Sequence, residues 1–266
     1  MIKFFRHIRK SLLMENKTSK YFKYAIGEIV LVVIGILIAL QINNWNEISK
    51  EQAKETNYLK NLQRDLNDQI VSIDNQIVNA TNFINAASYL ITYFNGNSTK
   101  NIDSVFFTKL SDLHTRKTFV ITDPTYTDLL SSGNINLISK EIFKDQLIQY
   151  YQELERIEKV IQNNNTLLVD QQFASTFLDI GYYFSNISAD KLNTAAKVKS
   201  LELTSLYNKE LENISKKLLL NSENKLRLMN VINVRHTVSL GHLGMMQNSK
   251  QTTQKLLKEL NDITRD

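Results

Sequence analysis

Histidines and carboxylates are the residues of this sequence whose types could support metal binding or proton transfer, and their spacing favours neither. His236 and His242 are six residues apart, so they do not share the i, i+4 helical face that a zinc pair uses. His114 has no acidic or histidine neighbour at ligand spacing. These histidines are interpreted as solvated or core residues, and no metal site is predicted.

Two other patterns could be taken for functional motifs. The segment HLGMM at 242–246 offers soft metal ligands, but without Cys or a helical repeat of Met, gap filling in a core explains it. Acidic and basic side chains interleave between Glu153 and Lys159, which is typical of ion pairing on a helix surface. The sequence contains no phosphate loop, no G-x-S-x-G elbow and no nucleotide fingerprint. It therefore predicts no catalytic residue and no cofactor.

The composition indicates a helical chain. Of its 266 residues, 42% are hydrophobic, and there are only 7 Gly, 1 Pro and no Cys. The lack of Cys excludes a disulfide scaffold and a thiolate metal site. Because so few Gly and Pro leave few of the turns that sandwiches, barrels and doubly wound sheets need, we predict an all-α fold.

The positive charge of the chain is concentrated near its N-terminus. The formal net charge is +5, and the whole excess comes from residues 1–44, since the remaining residues carry equal numbers of basic and acidic side chains. The bulk of the chain has no basic stripe, so we expect no nucleic-acid partner.

An apolar segment follows these cations directly. From Tyr24 to Ile42, Glu28 is the only charged residue. A transmembrane helix needs roughly 17–25 such residues, and a buried core helix would keep one polar face. A cleavable signal peptide is the second alternative, but the basic region is long and the small-residue cleavage pattern is missing. We predict a retained transmembrane helix over residues 24–45.

The flanks of this span predict its orientation. Basic residues precede it and Trp45 ends it, so the positive-inside rule keeps residues 1–23 cytoplasmic and exports residues 46–266. In a Gram-negative cell, the protein would lie in the inner membrane with a periplasmic domain. Residues 1–23 are basic and amphipathic, which favours either contact with anionic lipid headgroups or a topology signal without a further role.

Small residues recur within the span. Gly27, Gly35 and Ala39 share one helix face, which would permit close packing against another transmembrane helix. Glu28 lies one turn inside the cytoplasmic boundary. It is interpreted either as reaching towards a lysine at the interface or as a polar contact that specifies a partner.

Hydrophobic periodicity beyond the span indicates long helices. From Leu66 to Phe94, apolar residues alternate spacings of four and three, which is typical of a coiled-coil seam. No Gly or Pro lies between Trp45 and Asn95, so the transmembrane helix is predicted to continue through this segment. The seam could pack on another part of the chain or on a second copy.

Two more long helices are predicted, over 140–180 and 222–263, with shorter helices within 104–133 and 182–221. Asn163–Asn165 and Gly181 are candidate kinks or breaks. The inward residues are expected to be Val105, Phe106, Leu110 and Leu113 in the first short helix, Phe143, Leu147, Tyr150, Leu154, Ile157 and Ile161 in the second long helix, and Leu226, Met229, Ile232, His236, Leu240, Leu243 and Leu257 in the third. The predicted fold is all-α, with a single N-terminal transmembrane helix that continues into an elongated bundle of long helices with short connecting helices.

Two blocks of this sequence resemble a known family. The first is YFKYAIGEIVLVVIGILIALQINNWNE at 21–47, and the second is TYTDLLSSGNINLIS at 125–139, followed by IQYYQEL at 148–154. Together they resemble an uncharacterised family of Gram-negative membrane proteins, domain of unknown function 6090, and we expect the similarity to cover the full chain. The resemblance implies a single N-terminal anchor and a helical exported domain with no established activity. The pattern positions that it implies are Tyr126, Leu129, Ser132, Gly133, Leu137, Tyr150 and Tyr151.

These pattern positions also have a physical interpretation. Ser132 and Gly133 can end a short helix, with Gly133 supplying the left-handed residue. Tyr126 lies on a face that could dock on the helix containing Tyr150. Packing and capping explain the pattern, and the alternative is a ligand cleft lined by Tyr126, Tyr150 and Tyr151.

Three functions are compatible with these features. We expect a membrane-anchored periplasmic scaffold or assembly protein without catalytic activity, whose partners are the lipid bilayer and either another protein or a second copy of the chain. The alternative is a sensor-like, ligand-binding helical bundle that signals through its anchor to a partner, and this alternative rests on analogy of fold alone. An enzyme without a recognisable motif is the third. The sequence does not identify a ligand.

Overall fold

Helices form all of the regular structure in the residues that this computed structural model describes, which are residue 14 and residues 18–96, 102–183 and 208–265. The prediction of an all-α fold is confirmed. Most of the predicted amphipathic segment 1–23 lies outside the described residues. So do residues 184–207, which make up most of the predicted 182–221 connection.

Three long helical segments dominate the described chain. Helix α1 is Thr18–Asn95 and contains the apolar span, as the sequence predicts. The second long segment runs continuously from Glu141 to Ile180, and the third from Ser222 to Ile263, as α7. The second segment consists of helix α4, Glu141–Asn164, a π-helical stretch, Asn165–Phe173, and helix α5, Ala174–Ile180. The shorter elements are α2, Ser104–His114, α3, Pro124–Ser131, a 3₁₀ turn, Asn134–Leu137, and α6, Lys209–Leu220.

The Asn-rich interruption predicted in the second long segment is a π-helical stretch. The i→i+5 pattern begins at Asn165, and Gly181 follows the end of α5. A π-helical stretch inserts extra residues into a helix and shifts the face that its later residues present. The interruption therefore changes the register of the segment without ending it.

The chain divides into two compact units, residues 1–58 and residues 59–266. The described part of the first unit is the N-terminal portion of α1, where large aliphatic side chains are exposed. The second unit contains the remainder of α1 and every other described helix, and it holds the buried core.

Within the second unit, α7 runs antiparallel to α1. As residue numbers rise along α1, their partners on α7 fall. The Nζ of Lys250 lies 2.7 Å from the Oδ1 of Asp74, and the Nε2 of His236 lies 3.2 Å from the Oγ of Ser88. A third pair, Gln63 with Asn261, continues the same register. The two helices are thus aligned over most of the length of α7.

Helix α4 is also antiparallel to α7. The Tyr150 hydroxyl and the Thr253 hydroxyl are 2.8 Å apart, and the Nδ2 of Asn164 lies 3.1 Å from the Nε2 of His242. Helices α1 and α4 therefore run parallel to each other, which the sequence alone left open. The chain between them must return along the bundle before α4 begins.

The seam of α1 is covered by the chain's own helices. Leu66, Ile73, Ala80 and Ala87 are buried, and the seam residues between them are half-buried. At the C-terminal end of α1, Ala87 belongs to one apolar cluster with side chains from α2, α5 and α7. The seam therefore packs against other helices of the same chain.

Two inward faces differ from the sequence prediction. In α7, Leu226 and Leu240 are exposed, although both were expected to face inward. In α2, Val105 is exposed and Phe107 is buried in its place. The prediction for α7 was wrong because hydrophobicity located the face, whereas the true inward line includes polar residues. That line is Leu228, Ile232, Arg235, Ser239, Met246, Ser249, Thr253, Leu256 and Leu260. In contrast, all six inward residues predicted for α4 are buried.

Residues 115–123, between α2 and α3, form a non-helical segment that we call the strap. An extended segment cannot satisfy its own backbone N–H and C=O groups, so other groups must do so. Side chains from all three long segments contact the strap and the start of α3. The acceptors are Asp65 for the N–H of Thr125 (3.0 Å) and Gln69 for the N–H of Thr122 (2.6 Å). The donors are Gln76 to the carbonyl of Thr118 (2.6 Å), Asn165 to that of Lys117 (3.1 Å) and Arg235 to that of Thr115 (2.9 Å).

We expect the D65A substitution to destabilise the bundle by about 1–3 kcal/mol, since it leaves a buried N–H at the start of α3 without an acceptor. Asp65 is almost fully buried, whereas Asp68 on the same helix is exposed, so D68A is the matched control. Urea unfolding of the full-length protein, followed by circular dichroism, would measure both variants. Equal stability of D65A and D68A would contradict the assigned role of Asp65.

Candidate functional site

The apolar part of α1 has no protein packed against it in the described chain. The large aliphatic side chains between Ile29 and Ile42 are each about half exposed, and Trp45 is 72% exposed. An 18-residue apolar window lies here, and none of it is buried. By length and composition, this helix can cross a membrane.

The small residues of the predicted contact face are open. A Cβ atom built on Gly27 or Gly35 would meet no atom within 4 Å. Ala39 is exposed on the same face, and Glu28 is half-buried. In a single chain, this face therefore has room for another helix to approach closely.

The three tyrosines of the predicted cleft lie together, but they do not share an opening. Tyr126 and Tyr151 are stacked, with ring centroids 4.2 Å apart and an interplanar angle of 14°, and both are buried. Tyr150 packs edge-on against Tyr151 with a centroid distance of 5.0 Å. Burial raises the pKa of Tyr150 and of Tyr151 well above the ordinary value. Of the three, only Tyr150 lines a described groove, so the stacked pair contributes packing between α3 and α4.

Ser132 and Gly133 lie at the exposed end of α3. Gly133 has a φ of +72°, in the left-handed region where a side chain is strained. The Ser132 hydroxyl donates to the carbonyl of Asp128 at 2.6 Å. The predicted capping role of these two residues is confirmed.

A groove with a volume of about 350 Å³ lies between α4 and α7. Its base is apolar, and its rim carries amides, hydroxyls and charged side chains. The lining residues are Gln146, Gln149, Tyr150, Glu153, Leu154, Arg156 and Ile157 from α4, and Met245, Asn248, Ser249, Thr252, Lys255 and Leu256 from α7. An apolar base with a polar rim is typical of a ligand site.

The charges on the rim of this groove are largely neutralised. Arg156 contacts Glu153 through two bonds of 2.7 and 2.6 Å, and its hydrogen bonds hold the pKa of Glu153 below the usual value. The Oε1 of Gln146 is buried and has no hydrogen-bond partner among the described residues. One residue that lines the groove therefore carries a buried acceptor without a partner in the described part of the chain.

A polar layer crosses the middle of the bundle beside the π-helical stretch. The Nδ2 of Asn164 donates to the Nε2 of His242 at 3.1 Å. Burial, together with the nearby Arg235, lowers the pKa of His242 to about 4. The guanidinium carbon of Arg235 lies 4.2 Å from the centroid of the Phe83 ring. Arg235 is 3% exposed, and its Nε has no hydrogen-bond partner in the described part of the chain.

Sequence reasoning missed both the groove and this polar layer. Their residues come from helices far apart in the chain, and no local spacing links them. The one signal was the pair of polar residues Arg235 and Ser239, which share a helical spacing of four with the apolar residues of the same face. Within the described residues, no three His, Asp or Glu side chains form a group that could hold a metal ion.

Residues 28–141 match a family described as a family of unknown function (DUF6090). The match contains most of the apolar span, the seam of α1, the strap and the block at 125–139, so the resemblance seen in the sequence is confirmed over this range. The range is narrower than the full chain, and Tyr150 and Tyr151 lie beyond it. No curated protein and no solved structure matches the chain.

The pKa of His242 predicts a pH dependence of stability. In the unfolded chain, His titrates near its ordinary value of about 6.5. Between about pH 6.5 and 4, the unfolded chain binds a proton that the folded chain does not, so stability falls as the pH falls through this window. The full loss is about 3 kcal/mol, and no further loss from this group occurs below the folded pKa.

We therefore expect the H242N variant to lose less stability than wild type between pH 7 and pH 4 (~3 kcal/mol at most). Urea unfolding of both full-length proteins at a series of pH values measures this difference. H236N reports the effect of removing another histidine from the same helix. Parallel curves for H242N and wild type would show that His242 does not control acid stability.

Proposed function

We propose that this protein is a membrane-anchored helical scaffold that holds a protein partner, or a second copy of the chain, at a membrane and has no catalytic activity of its own. The observation that supports this proposal is the 18-residue apolar window of α1, none of which is buried. Fully burying one Leu, Ile or Val side chain contributes about 1.5–3 kcal/mol. Exposing a run of such side chains to water would therefore be strongly unfavourable. In a lipid bilayer, the same side chains would contact apolar lipid tails instead of water.

The charge distribution supports a defined orientation. Residues 1–23 carry Lys and Arg in excess, whereas residues 46–266 are balanced in charge. Under the positive-inside rule, the N-terminus would lie in the cytoplasm and the bundle in the periplasm of a bacterium, with the span in the inner membrane. Trp45 would lie at the outer interface, where aromatic side chains are favoured.

We expect an introduced cysteine at residue 56 to be accessible from outside the inner membrane, and one at residue 11 to be protected. The chain has no native Cys, so the variants T56C and S11C each contain a single thiol, and Thr56 is exposed. A membrane-impermeant maleimide should label T56C in intact cells. It should label S11C only after the inner membrane is opened. The reverse pattern would contradict the proposed orientation.

The open face formed by Gly27, Gly35 and Ala39 supports a partner within the membrane. Helices in lipid associate through close van der Waals contact, because lipid tails are as apolar as the side chains themselves. A face of small residues allows this contact. Glu28, which is adjacent to the face, would favour a partner that presents a polar group at the same depth.

We expect the G35L substitution to reduce recovery of the associated protein about tenfold, since overpacking of a contact costs about 1–3 kcal/mol and about 1.4 kcal/mol corresponds to a factor of ten. The matched control is V33L, which introduces the same side chain about 160° around the helix. Full-length protein would be purified from its native membrane in mild detergent, with mass photometry and protein identification on the same sample. A single copy without partners in the wild-type sample would contradict the scaffold.

A second candidate function is favoured by the groove between α4 and α7. A sensor-like bundle would bind a small amphipathic molecule in this groove. The conformational change caused by binding would then be transmitted through the anchor to a partner. The groove has a suitable volume, and the buried Oε1 of its lining residue Gln146 has no hydrogen-bond partner among the described residues. If purification yields a lone chain, this candidate becomes the one to examine by ligand-dependent stabilisation.

A further inference from the structure

The C-terminal part of α1 has an exposed surface without charge. Residues 69–95 contain a single charged residue, Asp74, whereas residues 47–68 contain nine. Asp74 is half-buried, and its Oδ1 lies 2.7 Å from the Nζ of Lys250 on α7. Every exposed side chain of α1 between residues 69 and 95 is therefore uncharged.

Six of these exposed residues form one line along the helix, which we call the outer face. The outer face consists of Val71, Asn75, Val78, Asn82, Asn85 and Tyr89. Their separations alternate between four and three residues, so the line repeats every seven residues and stays on one side of the helix. Val71 and Val78 each lie two residues before a buried residue of the seam, which places the outer face about 200° around the helix from the seam.

The composition of the outer face is that of a protein interface. The solvent-exposed side of a helix normally carries charged residues. Interfaces differ from the remaining surface because they are depleted of Lys, Glu and Asp and enriched in aromatic residues such as Tyr. Val120 of the strap adds apolar surface beside this line, since its carbonyl accepts from the Oγ of Ser72 at 3.4 Å and its side chain is 62% exposed.

The same face of a second copy is a chemical match for the outer face. An amide both donates and accepts, so Asn75 and Asn82 can each bond to the same residue of a parallel copy that is aligned in register. The two valines then meet valines. A partner face that carried charges would find no counter-charge on the outer face, and desolvating those charges is unfavourable.

The proposed membrane anchor would supply the parallel arrangement, so the inference rests on the proposed function. Copies that are anchored by the same N-terminal span enter the membrane in the same direction. Confinement to one membrane also raises the effective concentration of one copy near another. A short interface, about 27 Å along α1, then suffices, because the helix is already formed and no segment has to be ordered on pairing.

We propose that the outer face of α1 is a dimer interface, along which two parallel copies of this chain pair in register as a short two-stranded coiled coil. The two copies are related by a twofold axis, so each residue of the outer face meets its own counterpart. The asparagines fix the register, as an Asn within a coiled-coil seam does, at some cost in affinity. The seam and the outer face thus give opposite sides of one helix an intramolecular and an intermolecular partner.

Cysteine cross-linking tests the alignment. The chain has no native Cys, so V78C carries a single thiol, and in the proposed pair the two thiols face each other. The matched control is Q152C, because Gln152 is exposed on α4. After mild oxidation of native membranes, we expect about tenfold more disulfide-linked dimer from V78C than from Q152C, since a disulfide forms only between Cβ atoms held close together. Equal cross-linking of the two variants on a non-reducing gel would overturn the proposal.

A charge substitution tests whether the outer face stabilises the pair. N82E would place two like charges opposite each other, whereas N233E introduces the same charge at an exposed Asn of α7. We expect N82E to weaken dimerisation of the full-length protein about tenfold, equivalent to about 1.4 kcal/mol, and N233E to leave it unchanged. Mass photometry of protein purified from native membranes in mild detergent measures both variants.

The outcomes separate this interface from the scaffold function. An associated wild-type protein whose assembly N82E does not weaken, and whose V78C variant forms no disulfide-linked dimer, would overturn the interface and leave the scaffold intact. A complex that contains one copy of the chain and a different protein would do the same. A lone wild-type chain would overturn both proposals.

Discussion

The backbone of the strap imposes the constraint on which the rest of the bundle depends. Its N–H and C=O groups lie outside any helix, and a buried group without a partner costs about 1–3 kcal/mol. Asp65 and Gln69 on α1, Asn165 at the π-helical stretch and Arg235 on α7 each bind a backbone group of the strap or of the residue that begins α3. One short segment therefore fixes the mutual register of all three long helical segments.

This constraint explains where sequence-based prediction of the fold succeeded and where it failed. The inward faces of α4 and of the α1 seam are apolar, so hydrophobic periodicity identified them correctly. The inward line of α7 contains Arg235 and Ser239, because α7 must reach the strap and line the polar layer. Hydrophobicity therefore placed Leu226 and Leu240 inside, although both are exposed. The direction of α4 relative to α1 was also beyond prediction, since it depends on the path of the strap.

For the candidate sites too, local features could be predicted from the sequence, whereas features formed by distant residues could not. An exposed apolar span can be recognised from local composition. The helix-ending role of Gly133 can be recognised because it directly follows the polar end of a short predicted helix. The groove between α4 and α7 and the polar layer around Arg235 arise only when residues about 100 or more positions apart come together. Tyr126 and Tyr151 were recognised as neighbours but not as a stacked pair, because spacing along the chain gives the face of a residue and not its partner.

The antiparallel alignment of α7 with α1 has a consequence for biogenesis. A ribosome releases α1 well before α7, so the seam of α1 has no final partner until α7 has been synthesised. Contacts between residues far apart in a sequence close slowly, and apolar surface left uncovered in the meantime is prone to aggregation. The nascent chain must therefore keep a long hydrophobic stripe apart from other chains until α7 emerges.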